Sequence, residues 1–90
     1  SLLLCKVSGE SMIDARIFDG DTLVVDTSAQ AQDGNIVVVS VNNQFLVKRL
    51  RIIGNQTILI SENPDYPNIP ITEDTSIKFF GVVRRVLLSV

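Results

Sequence analysis

A serine or cysteine attacks a carbonyl efficiently only when a neighbouring base takes its proton, and this 90-residue chain contains no histidine to serve as that base. No Ser-His-Asp triad or Cys-His dyad can be built within it, and the commonest metal ligand is missing as well. Enzyme chemistry near neutral pH must therefore draw its base from a carboxylate, a tyrosine or a lysine. Lys48 has a setting that suits the role. It lies inside QFLVKRL, Gln44 to Leu50, where the two-residue period of a strand puts Leu46, Lys48 and Leu50 on one face and Phe45, Val47 and Arg49 on the other. An ordinary lysine there lays its stem over apolar surface and keeps its ammonium in water. If the leucines instead exclude water, the charged form is disfavoured and the pKa falls. The difference decides the chemistry: at a pKa of about 10.4 roughly one lysine in 2,500 is neutral at pH 7, whereas at about 7 half are, a shift that costs near 5 kcal/mol.

The hydroxyl to pair with it is Ser11, two positions after Gly9 and three before Asp14. One reading makes Ser11 the N-cap of a short helix over Ser11 to Arg16, its side chain satisfying the Asp14 N–H in a variant of the capping box. The other makes it a nucleophile. Backbone amides at a turn entering a helix lack internal partners and are suited to stabilising an oxyanion, and Gly9 permits such a turn. Lys48 lies 37 positions after Ser11, an interval that by itself fixes no distance between them.

The elements that must hold these residues are short β-branched runs separated by turn residues, the pattern of a mostly β domain: a small antiparallel sheet or partly closed barrel with one short helix at Ser11. Five strands are expected: TLVVDT from Thr22, NIVVVSVN from Asn35, QFLVKRL from Gln44, QTILI from Gln56 and KFFGVVRRVLLSV from Lys78. Asn42-Asn43 and Gly54-Asn55 tolerate the positive φ of tight hairpins, so the second, third and fourth strands should form an antiparallel meander. Asp19-Gly20-Asp21 and Asp33-Gly34 mark further turns, and Asn63-Pro64 through Pro70 an extended loop. In the last strand Val82, Val86 and Leu88 should share one face and Val83 and Leu87 the other. Both faces want burial, and as an edge strand it would invite a second chain, predicting a homodimer through about Phe79 to Val90.

Composition narrows the function further. Ninety residues suit one domain, residues 1–90, with a single core. One cysteine, Cys5, rules out an internal disulfide and fits the cytoplasm. The run Leu2 to Leu4 is too short for a signal peptide or a span, so no membrane partner is expected. A net charge of −2 is the wrong sign for affinity built on phosphate contacts, and the cluster Lys48, Arg49 and Arg51 is better taken as a strand face than as a nucleic-acid site. No metal or other cofactor is called for.

The segment SGESMIDARIFDGDTLVVD, Ser8 to Asp26, resembles the nucleophile region of the LexA/UmuD family of self-cleaving serine-lysine peptidases: a glycine, any residue, Ser-Met, then Asp-Gly-Asp before an apolar strand. FLVKRL resembles that family's lysine strand, at a suitable interval, and SENPDYPNIPI and FFGVVRRV resemble its later segments. The resemblance implies Ser11 as nucleophile, Lys48 as general base and the backbone amides of Glu10 and Ser11 as oxyanion donors, with no acidic third member; Asp14, Asp19, Asp21 and Asp26 become cap and turn residues. It also implies self-cleavage on activation by a RecA-DNA filament, at an Ala-Gly or Cys-Gly bond upstream of the serine. Neither dipeptide occurs here, so the chain is expected to be a processed or trimmed piece lacking the arm and its cleavage site. The ending is closer to UmuD, implying a dimeric accessory of an error-prone polymerase, than to LexA or phage repressors. A non-catalytic interaction module is the main alternative from another class; signal peptidase, also a serine-lysine enzyme, normally carries a membrane anchor.

Overall fold

The computed structural model describes residues 1–90 as seven strands and one turn of 3-10 helix: β1 (Leu2–Lys6), the helical turn Ile13–Ala15, β2 (Thr22–Asp26), β3 (Ile36–Val41), β4 (Gln44–Ile53), β5 (Gln56–Ile60), β6 (Ile69–Ile71) and β7 (Ile77–Leu87). Asn42 and Asn43 both adopt left-handed backbone, φ 49° and 69°, and Gly54 does the same at φ 60°. These two-residue turns fold β3, β4 and β5 into the expected antiparallel meander. All pairings are antiparallel and join into a single sheet ordered β1-β2-β7-β3-β4-β5-β6. The sheet stays open, with β1 and β6 as its edges.

The five expected strands are present and two more join them. β1 pairs along its whole length with β2, Leu2 opposite Asp26 through Lys6 opposite Thr22; its leucines at positions 2 to 4 are exposed, so no alternation advertised a strand. β6 begins in the segment expected to be a loop and ends one residue past it. Its Pro70 sits opposite Ile58, tolerable at an edge where a missing N–H breaks no ladder.

The last strand is an edge over only part of its length, because β7 changes partners along its course. In the strand order it lies between β2 and β3, but its halves pair separately, Ile77 to Val82 with β3 and Val82 to Leu87 with β2, which leaves the β3-facing side of Val83 to Leu87 unpaired within the chain. Register shifts at Val24/Val25 and Val38/Val39 leave Arg84 and Phe80 without opposite residues, and each bulge inverts the alternation. Hence Val82 joins one core cluster while Val83 and Val86 both pack on the other, contrary to the simple two-residue period. Gly81 lies between the bulges for a steric reason: a Cβ there would come within 2.5 Å of the Asp26 carbonyl oxygen.

β3 is buried on both faces. Val37, Val39 and Val41 join Leu50, Leu59 and Val82 in one core, and Val38 joins Met12, Ile17, Leu23 and Val25 in the other. That double burial explains its unbroken apolar run. The second core also anchors the Ser11 segment, since Met12 and Ile17 plug into it from either side of the helical turn.

Candidate active site

Lys48 occupies the middle of β4, opposite Val37, between Leu46 and Leu50 on its own face. Only 4% of it is exposed. The β4–β5 hairpin pairs Ile53 with Gln56 and, four steps on, Arg49 with Ile60; one further step sets Ser61 opposite Lys48. The Lys48 Nζ donates to Ser61 Oγ at 2.7 Å, and Ser61 Oγ donates to the Pro67 carbonyl at 3.0 Å. The serine's proton is thus committed elsewhere and its lone pairs are left for the lysine. Asn68 Oδ1 accepts the Ser61 N–H at 3.1 Å, and the Tyr66 ring centroid lies 5.7 Å from Nζ.

No carboxylate neutralises this lysine. The ion pairs join Arg49 to Glu62, Arg51 to Asp33 and Arg84 to Asp26. The basic cluster is thereby divided, Lys48 facing inward and two arginines engaged by local acids. Burial pushes the Lys48 pKa below its ordinary 10.5, through loss of water around the ammonium.

Ser11 lies half-buried just before Met12. It is not a helix cap. The 3-10 turn begins after Met12 with no side-chain cap, and the Asp14 N–H donates to the Glu62 carbonyl at 2.8 Å. The helix expected over Ser11 to Arg16 shrinks to three residues because Arg16, at φ 60°, turns left-handed and ends it. The Ser11 hydroxyl is left without a protein partner, and the Glu10 and Ser11 N–H groups donate to no protein acceptor.

Three bonds hold the turn around it. The Gly9 N–H, at φ 89° where a side chain would be strained, donates to Asp19 Oδ1 at 2.8 Å. The Glu10 carbonyl accepts from Asn63 Nδ2 at 2.8 Å, and Glu62 receives the Asp14 N–H. Asp21, also buried, accepts the Phe18 and Ser89 N–H groups, each at 2.9 Å, while Asp26 accepts from Ser28. Asp19, Asp21 and Asp26 thus tie loop backbone, Asp21 reaching as far as Ser89, while the Asp14 carboxylate makes no hydrogen bond.

Ser11 and Lys48 line one cavity of about 410 Å³, together with Ser8, Gly9, Glu10 and Tyr66; no hydrogen bond joins the two. Ser11 also lines an adjoining hollow of about 310 Å³ with apolar walls from Val7, Met12, Val38, Phe45 and Val47. The hydroxyl thus stands where a polar hollow containing a buried amine meets an apolar one. A third hollow of about 370 Å³, between Thr27, Leu50 and Phe79, contains no ionisable side chain. No cluster of three potential metal-ligating side chains occurs, and no helix is long and apolar enough to cross a membrane.

Sequence reasoning missed Ser61, Asn63 and Tyr66, all in or beside the segment assigned to a loop. For Ser61 a signal existed, since the Gly54-Asn55 hairpin counted back along both strands puts it opposite Lys48. For Asn63 the signal was weaker: an asparagine before Pro64 whose Oδ1 accepts the Asp65 N–H at 3.0 Å forms an ordinary Asx turn, with nothing to show that its amide reaches Glu10.

Residues 1–84 match the Peptidase S24-like family. The chain belongs to that family. It is 45% identical to Protein MucA of Salmonella typhimurium over 92% of its length and 57% of MucA. To the LexA repressor of Dechloromonas aromatica it is 49% identical over 88% of its length and 38% of the repressor, and to that of Paraburkholderia xenovorans 52% over 73% and 31%. The chain thus spans from under a third to a little over half the length of these relatives.

Proposed function

We propose that this domain is a serine-lysine peptidase that cuts its own parent chain, with Ser11 as nucleophile, Lys48 as general base and the Glu10 and Ser11 amides as oxyanion donors. The observation that carries this is a buried lysine without a carboxylate partner sharing a cavity with an unpartnered serine hydroxyl. Lysines are almost never fully buried unless paired, and perturbed ionisable groups in clefts cluster at functional sites. In the reaction the neutral Nζ takes the Ser11 proton as Oγ attacks the scissile carbonyl, the two amides bind the oxyanion, and the protonated amine then returns the proton to the leaving nitrogen. Membership of a peptidase family supports the assignment.

The whole protein is proposed to be UmuD-like: a cytoplasmic bacterial or phage-encoded protein of the SOS response to DNA damage, activated by a RecA-DNA filament, whose cleaved form is a dimeric accessory of an error-prone polymerase. The ending FFGVVRRVLLSV and the stretch ITEDTSIKFFGVV favour that branch, as does the match to MucA, which extends over 92% of this chain against 88% and 73% for the repressors named above. The identities to LexA repressors support the second reading, the autocleavage and dimerisation domain of a repressor. Incubating the parent-length chain with RecA, single-stranded DNA and a nucleotide tests the proposal. A cut upstream of Ser11 that disappears in Ser11→Ala and Lys48→Ala is expected; a folded parent that stays whole favours an interaction module.

A further inference from the structure

We propose that Asn63 is a positioning residue that aims one of the oxyanion donors, resting on the peptidase assignment above. A trans peptide unit is planar, with its C=O and N–H pointing in opposite directions, and the chain has no cis peptide bond. The Glu10 carbonyl and the Ser11 N–H belong to one such unit. Asn63 Nδ2 holds the carbonyl end at 2.8 Å, so the N–H end must project away from Asn63. That N–H has no protein acceptor, and both residues of the unit line the cavity shared with Lys48.

Asn63 is itself well fixed. It is 6% exposed, its Oδ1 accepts the Asp65 N–H at 3.0 Å, and its carbonyl accepts the Tyr66 N–H at 3.0 Å. An amide on a buried, doubly tied loop thus sets the orientation of a peptide plane 53 positions away. A donor preset toward a developing charge needs no reorganisation as the reaction proceeds, which is why such donors accelerate acyl transfer. Asn63 touches neither reacting atom; it acts through the Glu10–Ser11 peptide.

A fluorophosphonate probe tests this without the native substrate. Ser11 Oγ bonds to phosphorus, fluoride leaves, Lys48 takes the hydroxyl proton, and the phosphoryl oxygen stands where the oxyanion would. Mass spectrometry of intact protein gives kinact and KI across pH for the wild type, Asn63→Ala and Asn63→Asp, each first shown to be folded. Asn63→Asp keeps the acceptor for Asp65 but replaces the donor to Glu10 with a charged acceptor; Asn63→Ala removes the donor and adds no charge. Both should lower kinact about 10-fold or more with KI unchanged. In Asn63→Ala the midpoint of the pH profile should match the wild type, since Lys48 and the ionisable groups sharing its cavity, Glu10 and Tyr66, are untouched. A kinact within twofold of wild type in both variants overturns the proposal, and so does a loss accompanied by a displaced midpoint in Asn63→Ala, which would mean that Asn63 acts through Lys48. If Ser11 of the wild type is not labelled, or Lys48→Ala is labelled as fast, the peptidase assignment fails and this inference with it.

Discussion

At the scale of single residues, the site depends on a lysine kept out of water and tethered by one hydroxyl. Replacing Lys48 by methionine should raise stability, because a buried ammonium without a carboxylate carries an uncompensated desolvation penalty, and should abolish serine reactivity. Urea unfolding beside probe labelling checks both halves; a destabilised Lys48→Met would mean that the tether to Ser61 outweighs the burial. Ser61→Ala removes an acceptor for a charged donor and should cost about 1–3 kcal/mol by the same unfolding measurement. Lys48 was legible from the alternation of QFLVKRL and from the absence of histidine, which left few bases to choose among. Ser61 was latent in the hairpin register. Asn63 was not legible, because its contact to Glu10 joins segments whose proximity depends on the fold of the whole sheet.

Among the elements, β7 shows where a period-two pattern fails. Its sequence alternates as though each residue met one partner, but two bulges let Phe80 and Arg84 pass unpaired and invert the faces between them. Nothing in a run of valines marks where a bulge falls, except the glycine beside it. Gly81→Ala should destabilise by upwards of about 2 kcal/mol, since its Cβ would meet backbone rather than a movable side chain; a thermal midpoint equal to wild type would contradict the packing around Gly81. The meander, by contrast, was readable from Asn42-Asn43 and Gly54-Asn55, whose turn chemistry fixes both the pairing and the register.

For the molecule as a whole, the last strand keeps a free edge over part of its length for the expected dimer. Val83 to Leu87 pair with β2 alone, so their other side is a free backbone edge, as are those of β1 and β6. Side chains of the last strand and tail still present apolar surface, notably Phe79, Leu87 and Leu88, and a homodimer at micromolar concentration remains the expectation. Light scattering checks it: Leu88→Glu should shift the equilibrium toward monomer, and a monomeric wild type would overturn the dimer.

Stability should rise with pH at both ends of the range, for two different reasons. The Ser28 hydroxyl and N–H hold Asp26, and the Ile52 N–H and Arg51 hold Asp33, below the ordinary 3.8. Their contribution is present above that value and lost as pH falls through their folded pKa values. Lys48, lowered in the fold, binds its proton more tightly in the unfolded chain, so between its folded pKa and 10.5 its effect is to raise stability with pH. Urea midpoints across pH should show both limbs in the wild type and lose the alkaline rise in Lys48→Met.

The central claim is that a neutral Lys48 activates Ser11, and both can be followed by pH in one protein. Lys48 is one of three lysines, with Lys6 and Lys78, so ¹³C-lysine NMR can follow its Cε through a titration while fluorophosphonate labelling of Ser11 is timed in the same buffers. The labelling rate should rise with pH at the midpoint where Lys48 titrates, below 10.5. A Lys48 midpoint not below 10.5, or a labelling profile with a different midpoint from that of Lys48, would contradict it.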